Sequence, residues 1–277
     1  MEKAKPSMQS HDLQLQEAVF LQGHQEQSII QRRITEWLIL ARIQFTIIRE
    51  AWVWIFIMAC MFPLTTLLFL KFFTVDPTPA VMTRIITGNM LFGLIVMGLN
   101  SMAQEISWQK HQGHFTYYSS LPIAKVNFIF ANLLRGLIMS VPSFIILALI
   151  GQLAYGIQFH YSWGLVPVLL LTVFSVVGAG VLIGFWSPSH QLTNMLVQAL
   201  MMFISFLTPV MVDMNQLPGI LQWFSYIFPT TYAAEAMREV LISGWSGSVA
   251  WNTLILLFFS LLSIILILKK VDWRVEK

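Results

Sequence analysis

Six apolar runs dominate this chain, each close to the roughly 20 residues a helix needs to cross a bilayer. They fall near residues 52–73, 82–103, 126–151, 163–186, 195–212 and 249–268. In hydrocarbon every backbone polar group must be satisfied within the protein, which leaves separate runs of this kind no fold but the helix. In water they would have no cover, because 57% of the residues are hydrophobic and only 10% are charged, against about 25% charged in an ordinary soluble domain. The expectation is an all-α integral membrane protein with six transmembrane helices.

Lysine and arginine placement orients the spans. Lys3, Lys5, Arg32, Arg33, Arg42 and Arg49 precede the first run, Lys110 and Lys125 follow the second, and Lys269, Lys270, Arg274 and Lys277 end the chain. The opposite side carries only Lys71, Arg84 and Arg238. Both termini are therefore expected in the cytoplasm. The net charge of +3 is this inside bias and points to no nucleic-acid partner. The first residues are polar, so no cleavable signal peptide is expected. The lone Cys60 lies within the first run, where packing is its expected role.

Residues 1–28 are polar and glutamine-rich, which predicts a flexible cytoplasmic arm. Over 29–50 apolar residues recur at helical spacing (Ile30, Ile34, Trp37, Leu38, Ala41, Phe45, Ile48), with Arg32, Arg33, Glu36, Arg42 and Arg49 mostly elsewhere on the wheel. This pattern predicts a basic amphipathic helix lying in the cytoplasmic interface. The alternative is a plain extension of the first span.

The substantial cytoplasmic loop is 104–125. It begins with Glu105 at a span end, turns at Gly113 and closes at Leu121-Pro122. Trp108, Phe115, Tyr117 and Tyr118 are too many aromatics for a solvated linker, so they either pack in the interfacial belt or form a docking surface. His111 and His114 stand three apart without acidic or cysteine company, and no metal site is expected.

The fifth run stops at Pro209 and gives way to Leu217-Pro218-Gly219, then to Phe228-Pro229-Thr230-Thr231-Tyr232, then to Glu235 and Arg238. Leu217, Ile220, Leu221, Phe224 and Phe228 recur at helical spacing, Pro229 breaks the pattern, and Tyr232, Ala233, Ala236, Met237 and Val240 supply a second stripe. Two short, half-buried helices joined at a proline suggest a re-entrant segment, 213–243, dipping into one membrane face before the sixth span.

Polar residues inside the spans are few: Asn89, Asn100, Arg135, Gln152 and Gln198. Arg135, about nine residues into the third span, is expected to snorkel to the interface. No buried acidic or histidine series exists to drive an ion-coupled carrier, and no phosphate-binding glycine loop or catalytic motif is visible. No catalytic residue is expected in this chain.

In order and spacing these features resemble the ABC-2 type transporter permeases, over about residue 29 to the C-terminus. The loop matches that family's pattern at Glu105, Gly113, Leu121 and Pro122. The second motif is matched by Pro209, Leu217-Pro218, Phe228-Pro229-Thr230-Thr231-Tyr232 and Glu235-Ala236-Met237-Arg238. The usual Gly-Thr of the loop is here Gly113-His114, and Phe228 stands where the family has asparagine. The resemblance implies a transport subunit of a bacterial or archaeal cell membrane, without an ATPase site or directly bound cofactor of its own. ATP and magnesium would belong to a separate nucleotide-binding subunit docked on 104–125. A second permease copy or homologue and membrane lipid would be the other partners. It further implies that Glu105 sits at a hinge, that Trp108, Phe115, Tyr117 and Tyr118 form the docking surface, and that Pro209, Leu217, Pro218, Pro229, Tyr232, Glu235 and Arg238 build an external gate, with a Glu235–Arg238 pair. The substrate would be hydrophobic or amphipathic, drug-like or lipid-like. A non-transporting scaffold of the same fold and a secondary carrier are the alternatives.

Overall fold

The computed structural model describes residues 29–73, 78–120, 124–210 and 214–270. Every regular element among them is helical: α1 (Ile29–Phe73), α2 (Pro79–Ile95), a π-helical stretch (Val96–Ser101), α3 (Met102–His111), α4 (His114–Ser120), α5 (Lys125–Tyr155), α6 (Leu165–Trp186), α7 (His190–Leu207), a 3-10 turn (Met214–Gln216), α8 (Gly219–Ser225), α9 (Pro229–Ile242) and α10 (Gly247–Lys270). Among the described residues four stretches are long and apolar enough to cross a membrane: Val81–His111, Lys125–Tyr155, Leu165–Trp186 and Gly247–Lys269. The 1–28 arm, the 271–277 tail, Leu121 and Pro122 lie outside the described residues.

The helix ends follow local chemistry. Thr78 caps α2 by accepting the Val81 amide, with Pro79 at the first helical position. Gly156, at φ 64°, ends α5 while its amide bonds the Gln152 carbonyl and that of Ile157 bonds Gly151. Ser189 caps α7 through the Leu192 amide.

The second apolar run is the centre of the bundle. Ile86, Met90, Leu94, Ile95, Met102 and Ile106 are fully buried along it. In a bilayer lipid tails are as apolar as leucine, so close backbone packing rather than water exclusion drives helix association. The contact with α6 illustrates this. A Cβ added at Gly180 would lie 2.5 Å from the Leu99 carbonyl oxygen, and one at Gly184 would lie 2.8 Å from that of Ala103. Only glycine lets α6 approach the π-helical stretch so closely.

Two sequence expectations change here. First, α1 is one continuous helix of 45 residues, about 68 Å at 1.5 Å per residue, and has no break between an interfacial piece and a span. Its buried face is Leu40, Gln44 and Ile48, whereas Ile34, Leu38 and Phe45, assigned to the inner stripe, are exposed. The reason is α5. Asn127 donates to Glu36 and Arg135 donates to Gln44, both pairs 91 residues apart, so the two helices run parallel in one register. Second, the loop after the second span is largely helix. The run continues through α3 to His111, and only the Gln112–Gly113 turn separates α3 from α4.

Candidate functional site

Arg135 is 4% exposed and does not snorkel. Its Nη1 donates to Glu105 Oε1 of α3 and to Gln44 Oε1 of α1, each at 3.0 Å. Gln109 Nε2 donates to the same Glu105 oxygen at 2.7 Å. An arginine one-third of the way along α5 meets a carboxylate where the neighbouring helix brings one in. The π-helical stretch bears on that meeting. A π turn holds one residue more than an α turn, which rotates everything after it by about 100° and decides which α3 side chains face α5.

Three buried polar atoms near this network have no hydrogen-bond partner among the described residues: Arg135 Nε, Gln109 Oε1 and Asn132 Oδ1. The junction of α1, α3 and α5 is thus a polar knot held by one ion pair and incompletely satisfied, the kind of contact that specifies an arrangement more than it stabilises one.

Just beyond the knot, α3 is bolted to the α6–α7 turn. Lys110 Nζ donates to the Phe185 and Ser187 carbonyls, both at 2.9 Å, satisfying the open end of α6. The His111 ring nitrogens lie 2.7 Å from the Ser107 carbonyl and 3.1 Å from that of Pro188. Thr193 Oγ1 donates to Ser107 Oγ at 2.8 Å, and Gln104 donates to Asn194 at 2.9 Å.

The four aromatics of this region divide. Phe115 and Tyr118 pack on the buried Phe128 with ring centroids 5.7 and 5.5 Å away, and Phe115 lies 5.0 Å from Phe185. Trp108 and Tyr117 are 45% and 65% exposed, Trp108 meeting His114 edge to face. Two of the four thus pack inside the protein and two face outward. Burial raises the Tyr118 phenol pKa, with the Glu105 carboxylate adding to the rise and Arg135 opposing it. Gly113, at φ 75° with open space around it, makes the turn between α3 and α4.

Beyond the other end of α7 lie α8 and α9, which are not the matched pair expected. Most of α9 is core, with Thr231, Ala233, Ala236, Met237, Val240 and Leu241 buried, whereas Ile220 and Trp223 of α8 are each 84% exposed. Pro218 occupies the N-cap position of α8, Pro229 opens α9, and Leu217, just before Pro218, is buried. Tyr232 donates its hydroxyl to the Tyr226 carbonyl at 3.0 Å. Arg238 donates to the Pro209 carbonyl at 3.2 Å, and Asn252 of α10 donates to Glu235 at 3.4 Å. Arg238 still acts on Glu235 electrostatically, but burial dominates and raises the Glu235 pKa above the usual carboxylate value.

The other polar residues stay apart from the knot. Asn89, fully buried, donates to the Ile85 carbonyl of its own helix at 2.9 Å. Asn100 sits in the π-helical stretch with a buried side-chain oxygen lacking a partner among the described residues. Gln152 is half-buried near the end of α5, and Gln198 is exposed on α7. Sequence reasoning missed Gln44, Gln109 and the Ser107–Thr193 contact. One signal for Gln44 was available: Leu40, Gln44 and Ile48 repeat every four residues, a stripe passed over because its middle member is polar.

No protein of curated function matches the chain. A family model described as ABC-2 family transporter protein matches residues 73–269, from the end of α1 to the last turn of α10. That match takes in Glu105, Arg135, both α3 and α4, and the whole of α8 and α9, and it spans well over half of the 277 residues. The chain belongs to the ABC-2 family of transporter proteins.

Proposed function

We propose that this chain is the permease subunit of an ATP-driven ABC exporter, moving a hydrophobic or amphipathic substrate, drug-like or lipid-like, across the cell membrane. In this reading the chain crosses six times with both termini in the cytoplasm, α1 and α7 joining the four apolar stretches. A separate nucleotide-binding ATPase, carrying ATP and magnesium, docks on the elbow formed by α3, Gly113 and α4, and a second permease copy completes the transporter. The α8–α9 pair lies at the external face, where it lines or gates the exit.

The observation that carries this reading is the elbow. Its outer side offers Trp108 and Tyr117, while its inner side is tied to α1 and α5 through Glu105 and Arg135 and to α6 and α7 through Lys110, Ser107 and Gln104. A push on such an elbow moves several helices together instead of bending a loop. The helix lengths agree. At about 46 Å for 31 residues, α5 exceeds a roughly 30 Å hydrocarbon core. In this reading the excess lies at its first turns, which with α3 and the start of α1 stand on the cytoplasmic side.

The test is a Trp108→Ala/Tyr117→Ala variant co-expressed with the ATPase partner. Both side chains are exposed, so the permease should fold. Recovery of the ATPase with the permease, and the stimulation of its activity, should each fall about tenfold or more, in line with the loss of two aromatic anchors. Undiminished recovery and stimulation would reject the elbow as the docking site.

A further inference from the structure

Helices α6 and α10 run side by side in the same direction, as the order of their contacts shows. Gly164 and Trp245 meet just before the two helices begin. Further along, Ser260 Oγ donates to the Leu171 carbonyl at 3.3 Å. A Cβ at Gly178 would lie 2.7 Å from the Ser263 Cβ, so the helices touch there almost backbone to backbone. Beyond that crossing bulky residues follow on both, Leu182, Ile183 and Trp186 on α6 and Leu266 and Lys269 on α10. A groove of about 450 Å³ lies among these residues, within the roughly 300–1,000 Å³ of small-molecule sites.

The chemistry of this groove changes along its length. Leu182, Ile183 and Leu266 give it an aliphatic lining, and one turn further along each helix it is lined by Trp186, 59% exposed, and Lys269, in the last turn of α10. Among the described residues no carboxylate lines it. Trp and Lys together at the end of a span mark the headgroup level of a bilayer.

We infer that the α6–α10 groove binds an anionic glycerophospholipid, with an acyl chain along Leu182, Ile183 and Leu266 and the phosphate at Lys269 beside Trp186. Charge decides between the candidate occupants. An aliphatic floor fits an acyl chain, which a free phosphate lacks. An isologous contact with a second copy on this face would bring two ammonium groups into one apolar interface. A lipid phosphate supplies the negative charge that the described lining does not. This inference rests on α6 and α10 being membrane-spanning, and it does not depend on which face of the membrane is cytoplasmic.

The test uses the full chain in symmetric nanodiscs of phosphatidylcholine doped with brominated phosphatidylglycerol or, separately, brominated phosphatidylcholine. The contribution of Trp186 to fluorescence quenching is taken as the difference from a Trp186→Phe protein. Phosphatidylglycerol should reach Trp186 about fivefold more effectively than phosphatidylcholine, since one lysine near the headgroups contributes about 1 kcal/mol towards anionic lipid. The preference should vanish in Lys269→Gln and persist in Lys269→Arg, which separates charge from a folding defect. Equal quenching by the two lipids, a preference that survives Lys269→Gln, or no quenching of Trp186 by either lipid would each overturn the inference. The last result would mean that protein covers the groove. A symmetric bilayer makes the readout independent of orientation and of any ATPase, so failure here leaves the exporter reading standing, and failure of docking at the elbow leaves this one.

Discussion

At the residue scale, the decisive pair is Glu105 and Arg135. Taking two charges out of water costs several kcal/mol for each, and their attraction repays this only while both are present. Arg135→Met should therefore lower the thermal unfolding midpoint in detergent sharply, by the equivalent of about 3–5 kcal/mol discounted for the part-exposed carboxylate. The double variant Glu105→Leu/Arg135→Met should recover most of the loss. Thermal scans of the four proteins of the cycle decide it, and additive losses would show that the pair is not coupled. Glu235 makes a prediction about pH. Burial raises its pKa in the folded state, so the native protein holds the proton more tightly than the unfolded chain does. The resulting stabilisation is complete below the ordinary carboxylate value of 4.5 and is lost as pH rises through the raised value. Unfolding midpoints measured from pH 4 to 8 should decline over that window in the native sequence, with the decline reduced in Glu235→Gln.

At the scale of elements, the joint between α6 and the π-helical stretch depends on glycines rather than on large side chains. Gly180→Val would drive a branched side chain into the Leu99 backbone, and overpacking of this kind costs about 1–3 kcal/mol. Gly219→Ala, at the start of α8 with nothing within 4 Å of the new Cβ, should be neutral or stabilising by under about 1 kcal/mol. Parallel melts of the two variants provide the contrast, and equal effects would mean that close packing at Gly180 does not matter. The same element explains a difference between sequence and structure. The second apolar run reads as one span followed by a loop, since Gln104, Glu105, Gln109 and Lys110 lower its hydropathy. The helix nonetheless continues, because Lys110 and His111 find carbonyl partners on the α6–α7 turn. Partners of that kind lie some 75 residues away, beyond the reach of any periodicity.

For the whole molecule, the parallel register of α1 and α5 is the most consequential arrangement. It lays the amphipathic start of α1 along α5. Leu40 and Ala131 are also 91 residues apart, midway between the Glu36–Asn127 and Gln44–Arg135 contacts, and both are buried. In a Cys60→Ser background, cysteines at 40 and 131 should be joined by a short thiol cross-linker within one chain, whereas cysteines at 38 and 131 should react far less. Equal yields would mean that α1 lies free of α5.

The chain by itself determined the class of solution. Apolar runs of membrane length, the lysine and arginine bias and the proline-punctuated segment after the fifth run are local properties, and they act wherever the chain is placed because hydrocarbon demands internally bonded backbone. It also marked Glu105, Gly113 and Arg135 as residues of interest, though not as neighbours. Tertiary structure alone decided the rest: that Arg135 is buried against Glu105 and Gln44, that two of the four loop aromatics pack and two stay exposed, and that α9 is core while α8 is not. Each of these depends on which helix faces which. That choice is set by the glycine contacts and polar pairs between helices, whose energies exist only when segments distant in sequence meet.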